Sequence, residues 1–393
     1  MKKRRNYGRK IKRNKLNLYP KKKTKAQKIL SIVLMVIVLL AIAFFGYCLG
    51  KPLLDYFENN LVKDEYEWTP PADKTEQTTT QPVETTTIPE TEPTTAMTEE
   101  PVQVESIYAV TVPASALANS SALSAYAAKS SAEGFTAAVV QLKDSNGNLR
   151  YASELEILKD SEVVTGTLSA KEISSVLRKN GLVPVASIAT LTDNLGCKAI
   201  PDMSYKVIDE EGVSWLDYKN GTPVRWANPE SKATTDYINA VVSELKAGGF
   251  EGIVQTNIIF PDFQDYDREY IAPKYFETNR SKLLTGVIAE DAYIEINARE
   301  VLNGRTTGTA ELLRNKGIKN KILLRINRSE FNAENGYPVS AGSLVEVIMS
   351  EAEAKYGSFE FLPLINGKDF QTEEIAAIRE TLDKMGYKEF FIG

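Results

Sequence analysis

Histidine is missing from all 393 residues of the chain. That absence excludes Ser-His-Asp and Cys-His nucleophile systems, histidine general bases and every histidine-ligated zinc or haem. Cysteine is nearly as scarce: Cys48 and Cys197 are the only two, too few for a cysteine-cluster metal centre or a disulfide framework. Acidic residues are absent from the first 28 positions, which carry fourteen Lys or Arg, so the formal charge of −5 divides into +14 there and −19 over the rest. No glycine-rich turn follows the first β-rich run. Val112-Pro113-Ala114-Ser115 stands there instead, which removes the dinucleotide-binding fingerprint. No EF-hand-like pattern occurs either, and neither a cofactor nor a metal is assigned.

What is present begins with a span. From Ile29 to Leu49 run twenty-one residues without charge or proline, and as a helix at about 1.5 Å per residue they reach about 31 Å, the thickness of a bilayer core. The stretch exceeds the roughly 7–15 apolar residues of a cleaved signal peptide and lacks its A-x-A-like exit, so it reads as a retained signal anchor. Bulky Tyr47 before Cys48 argues against a lipoprotein. The positive-inside rule keeps residues 1–28 in the cytoplasm against anionic lipid headgroups and places everything beyond 50 outside. With only Tyr7 and Tyr19 interleaved among its basic residues, this tail does not read as a nucleic-acid arm. Residues 50–105 read as a linker, and the Thr/Pro/Glu tract at 69–103 has too few apolar groups to offset chain entropy. Extended at about 3.1 Å per residue, that tract would reach roughly 100 Å, a distance suited to crossing a cell wall. The expectation is a single-pass cell-membrane protein with an extracytoplasmic domain at 106–393, in which Cys197 is a small apolar residue.

That domain alternates β-rich runs with helical periodicity. Strands are expected at Ile107–Val112, Ala137–Leu142, Val183–Ala189, Gly252–Asn257, Ala292–Asn297, Lys321–Asn327, Phe359–Ile365 and Lys388–Ile392. Helices are expected at Ala116–Lys129, Ser169–Asn180, Ser231–Ala247, Arg280–Ala289, Thr306–Lys316, Gly342–Tyr356 and Thr372–Met385. Eight strands alternating with seven helices predict an α/β fold, a (β/α)8 TIM-like barrel lacking its last helix. A doubly wound open sheet is the alternative.

A barrel puts its site at the C-terminal ends of the strands. After the second strand, Asn146-Gly147 suits a tight turn that returns Arg150 and Tyr151 to the rim, with Asp144 in turn or site chemistry. In the fifth, alternation turns Glu295 and Asn297 inward; in the sixth, Arg325 and Asn327, so that Glu295 and Arg325 form either an internal ion pair or part of a site. The long excursion after the third strand holds Asp193, Trp215, Asp217, Trp226 and Asn228, with tryptophans that either stack on sugar rings or plug the mouth. With Lys143, Asp144, Asn257 and Asn297 at neighbouring strand ends, these five form the candidate substrate-binding set.

The run Val139-Val140-Gln141-Leu142-Lys143-Asp144, the stretch from Leu182 to Asp193, Pro201-Asp202, Trp215, Asp217, Trp226-Ala227-Asn228-Pro229, Tyr237, and Gly249-Phe250-Glu251 through Phe260-Pro261 resemble a bacterial family of glycoside-hydrolase-like TIM barrels, mostly surface-exposed. The resemblance covers most of 106–393. It implies a catalytic or sugar-contacting role for acidic residues on the fourth strand, typically G-F-D-E-I-Q-F-D-Y-I-R-F-P. Here that strand reads G-F-E-G-I-V-Q-T-N-I-I-F-P. Gly252 stands for the glutamate, Thr256 for the aspartate and Ile259 for the arginine, while Gln141 replaces the second-strand aspartate and Ser187 the third-strand arginine.

Glycoside hydrolysis ordinarily needs two carboxyl groups, about 5–5.5 Å apart for retention or about 6.5–9.5 Å for inversion. With its acids replaced, the chain is expected to be a membrane-anchored, catalytically degenerate barrel that binds a cell-wall or surface polysaccharide. One alternative is an active hydrolase using relocated carboxylates, Glu295 or Glu300 opposite Asp144 or Asp193. The other is an envelope interaction or assembly component, which would expose an apolar patch away from the strand C-termini.

Overall fold

The computed structural model describes residues 106–159, 161–218, 221–276, 280–304 and 308–393. The basic tail, the anchor at 29–49 and the linker at 50–105 lie outside the described residues. Among the described residues no helix is long and apolar enough to cross a membrane.

Eight strands close into one parallel barrel in sequence order: β1 (Ile107–Val112), β2 (Ala137–Lys143), β3 (Val183–Ala189), β4 (Gly252–Thr256), β5 (Tyr293–Asn297), β6 (Ile322–Ile326), β7 (Phe361–Ile365) and β8 (Glu389–Ile392). Closure pairs Ile107 with Glu389 and Val110 with Ile392. The open sheet is thereby overturned.

Period-two alternation builds the barrel. In β5, Ile294 and Ile296 face the helical layer, while Tyr293 and Glu295 alternate with them toward the axis; Asn297, expected inward as well, turns its side chain to the start of the following helix. Below the mouth the interior is filled by Ala109, Ala137, Val139, Val183, Val185, Val254, Leu323, Leu362, Leu364 and Phe391. Alanines on β1 and β2 leave room for Phe391, whose ring meets Tyr293 edge-on at 5.4 Å. The barrel is therefore a packed core with a site only at its end.

The helical layer follows from capping and spacing. In the helix Ala170–Lys179, Ser169 and Glu172 form a capping box, and Ile173 and Leu177, four apart, are fully buried. Each such side chain contributes about 1.5–3 kcal/mol of burial. The helix Thr372–Met385 ends at Gly386 in the left-handed region (φ 87°).

Two helices differ from expectation. After β4 the helix runs only Arg280–Thr285. Fully buried Gln255, facing outward from β4, donates to the Val287 carbonyl and accepts from the Ala289 N–H, taking the chain out of helix where the pattern alone continues it. After β5 the helix starts at once, as Ala298–Leu302, because Asn297 caps it by accepting the Arg299 N–H. The segment expected to be helical from Thr306 is a 3-10 turn, Thr309–Arg314.

Candidate functional site

At the C-terminal end of the barrel lies a cavity of about 480 Å³. Positions one step beyond the apolar interior line it: Thr111 on β1, Gln141 on β2, Ser187 on β3, Thr256 on β4, Glu295 on β5 and Arg325 on β6. Asn257, Asn327, Asn366, Lys368 and Arg150 complete the rim. Asn257 sits at φ 54°, a left-handed conformation that asparagine tolerates better than most residues, and its Oδ1 accepts the Thr256 hydroxyl at 2.9 Å.

Glu295 is the one side-chain carboxylate lining the cavity among the described residues. Its Oε1 lies 2.9 Å from Arg325 Nη1, so the internal ion pair forms. Burial pushes the Glu295 carboxyl above its ordinary range, and the Arg325 charge opposes that without cancelling it. Asp144 stands behind Arg150 and accepts from it at 3.2 Å. Burial pushes the Asp144 carboxyl up as well, but the side chain and backbone of Asn148, the backbone of Asn146 and the Arg150 charge outweigh it and hold it below the ordinary range.

The candidate set is dispersed by the fold. A register shift between Gln141 and Lys143 sets Lys143 beside Ile188, on the helical side of the sheet. There its Nζ lies 2.8 Å from Asp193 Oδ2, both side chains wholly buried, and also donates to the Ala189 carbonyl. Asp193 Oδ1 accepts the Gly196 N–H at 2.7 Å, capping the helix Asn194–Ala199. Lys143 and Asp193 therefore hold the fold behind β2 and β3 and do not reach the cavity. Nearby Cys197 is buried, its thiol pushed up to about 12 by burial and then by the Asp193 charge, consistent with a small apolar residue.

Trp215 is 7% exposed. It packs on Phe263 and edge-on to Tyr205, donating Nε1 to Asp267 Oδ1 at 3.0 Å. Trp226 is half-buried and donates to Asp217 Oδ2 at 3.1 Å. Asn228 donates to the Tyr275 hydroxyl at 2.8 Å. These residues tie together the excursions after β3 and β4, and among the described residues no tryptophan lines the cavity. Asn297 is occupied by its capping role and by Glu330 Oε1 at 3.0 Å. Glu300 accepts the Ala310 N–H and lies in a separate crevice with Asn297 and Glu330. Of the eleven residues weighed for catalysis or binding, only Glu295 and Asn257 line the cavity.

Sequence reading missed Asn366 and Lys368. The signal was available: Leu362 and Leu364 face inward on β7, so alternation carried past the strand end puts 366 and 368 on the same side.

Residues 109–303 match the family model described as a putative glycosyl hydrolase domain. No curated protein matches the chain. Among solved structures, the glycoside hydrolase domain of PgaB (BpsB) from Bordetella bronchiseptica is 13% identical, covering 74% of this chain and 94% of its own, with a TM-score of 0.49. A hypothetical protein from Ruminiclostridium thermocellum is 18% identical over 46% of this chain and 88% of its own, at 0.37. An α-galactosidase from Thermus thermophilus is 10% identical over 74% and 58%, at 0.42.

Proposed function

We propose that this glycoside-hydrolase-like barrel, matched over residues 109–303 to a putative glycosyl hydrolase domain, is a non-catalytic one: a membrane-anchored, extracytoplasmic module that binds a cell-wall or surface polysaccharide. One observation carries this reading. Gln141, Ser187 and Thr256, at strand positions where the resembled family has charged groups, all line the cavity and are neutral, and the remaining carboxylate, Glu295, is committed to Arg325. Hydrolysis by the two-carboxyl route needs a partner for Glu295 across the scissile bond. Asp193 is sealed behind the sheet with Lys143, and Glu300 lies in another crevice. What remains at the mouth, beside Arg150, Arg325 and Lys368, is a set of amides and hydroxyls of the kind that match sugar hydroxyls, at the strand ends.

A second reading has one observation in its favour. Glu295 is a cavity-facing carboxyl held above its ordinary range, as a general acid requires, and Asp144 stands at the rim behind Arg150. The test of both is calorimetry of the full-length protein against purified wall polysaccharides and oligosaccharides, with reducing ends measured over a day. Binding without release is the expected result. Release abolished by Glu295→Gln would replace the binding reading with relocated catalysis, and silence in both assays would transfer the function to a protein-facing surface.

A further inference from the structure

The cavity that the binding reading assigns to a saccharide has an unbalanced charge and no stacking surface. Among the described residues three cationic side chains line it, Arg150, Arg325 and Lys368, against one acidic side chain, Glu295, with Gly393 also at the mouth. Arg325 spends Nη1 on Glu295, and its other N–H groups have no partner among the described residues; the side chain is 45% exposed. Lys368 is exposed on the turn Gly367–Asp369 and makes no ion pair among the described residues. Arg150 gives Nη2 to Asp144 and keeps the rest of a side chain that is one-third exposed. The neutral lining, Gln141, Thr256, Asn257 and Asn366 among it, offers hydrogen bonds only.

Neutral hydrogen bonds exchange with water at small net gain, whereas bonds to a charged group contribute roughly twice as much. Sugar sites commonly gain affinity from an aromatic platform, and the one aromatic ring lining the cavity among the described residues, Phe391, is sunk in the barrel floor. A neutral sugar would find little to hold it. A sugar carrying a carboxylate or phosphate would meet a half-free guanidinium fork and an unpaired ammonium on the same rim, with amides left for its hydroxyls.

We propose that the barrel mouth recognises an anionic sugar residue, whose carboxylate or phosphate oxygens bind between Arg325 and Lys368 with Arg150 as the outer contact. This rests on the saccharide-binding reading. Carboxylate and phosphate present the same anionic oxygens, so both are probed: an oligogalacturonate with its carboxyl-reduced neutral counterpart, and a phosphorylated maltotriose with maltotriose.

The experiment is calorimetry of the full-length protein with these four ligands at low and moderate salt. At least one anionic ligand is expected to bind about tenfold or more tighter than its neutral counterpart, with the advantage shrinking as salt rises. Lys368→Ala, at an exposed position, and the double variant E295Q/R325Q, which leaves no unpaired charge, are each expected to reduce that advantage. Equal binding of anionic and neutral ligands would overturn the charge inference and leave the saccharide reading standing. An anionic advantage untouched by both variants would overturn the placement. No binding by any of the four, or by the wider polysaccharide panel, would overturn the saccharide reading and this inference with it.

Discussion

At the scale of single residues, the Glu295–Arg325 pair and Trp215 separate function from support. Glu295 has its carboxyl raised above the ordinary value of 4.5 by burial against a smaller opposing effect of Arg325. The folded chain therefore holds this proton more tightly than the unfolded one. Between the ordinary and the raised value, stability falls as pH rises; the penalty is complete above the raised value and absent below the ordinary one. Glu295→Gln removes the titration, so its melting temperature relative to wild type is expected to be more favourable at pH 7.5 than at pH 4. Thermal melts of the two proteins at both pH values check this, and an equal or reversed difference would refute it. Trp215 makes the opposite point. Its position in a loop-rich rim leaves open a sugar platform or a plug of the mouth, and the structure buries it among Tyr205 and Phe263. Trp215→Ala is expected to cost about 3–5 kcal/mol of stability in urea unfolding, as large-to-small core changes do, while the folded fraction keeps its ligand affinity. An exposed and a wedged tryptophan look alike in sequence, because what covers them comes from the distant 263–275 segment.

At the scale of elements, alternation made all eight strands legible, since a residue spacing of two leaves little choice of face. Side chains reaching between elements were what hid the rest. Gln255 ends the helix after β4 through bonds to Val287 and Ala289, and the register shift after Gln141 moves Lys143 from the mouth to the back of the sheet. That shift also ties β2 to the helix Asn194–Ala199 through the fully buried Lys143–Asp193 pair. Breaking a buried pair strands one charge without solvent, at about 3–5 kcal/mol. Lys143→Met and Asp193→Asn are each expected to destabilise by that order. The double variant, which buries no charge, is expected to be less destabilised than the two costs added together. A double-mutant cycle from denaturant melts measures the coupling, and strict additivity would mean that the pair contributes no specific link. Gly147 belongs to the same device. At φ 99° a Cβ there would come 2.0 Å from Asp193 Oδ1, so the Asn146-Gly147 turn that was legible as a turn is also a lid over the pair.

At the scale of the whole molecule, a closed barrel shares its stability around a ring, and the ring is uneven. β2 pairs with β3 from Ala137–Val183 through Lys143–Ile188, whereas β4 meets β5 only at Val254–Tyr293 and Gln255–Ile294, and β7 meets β8 at two positions as well, there with the long helices Ala341–Tyr356 and Thr372–Met385 beside it. The described residues between β4 and β5 are also irregular, built from two 3-10 turns and one short helix. Local opening concentrates where ladders are short and connections irregular, so backbone amides of β4 and β5 are expected to exchange with deuterium faster than those of β2 and β3. The mouth lies across this same seam, with Thr256 and Asn257 on one side and Glu295 on the other. A ligand seated there contacts both strands, binds only the closed form and so stabilises it in proportion to its saturation. Hydrogen–deuterium exchange of the full-length protein, with and without a saturating bound oligosaccharide, is expected to show slowing at 252–257 and 293–297 and little change at 137–142. Slowing confined to the excursion around Trp215 and Trp226 would instead put the sugar outside the barrel, on the loops that hold five of the candidate binding residues.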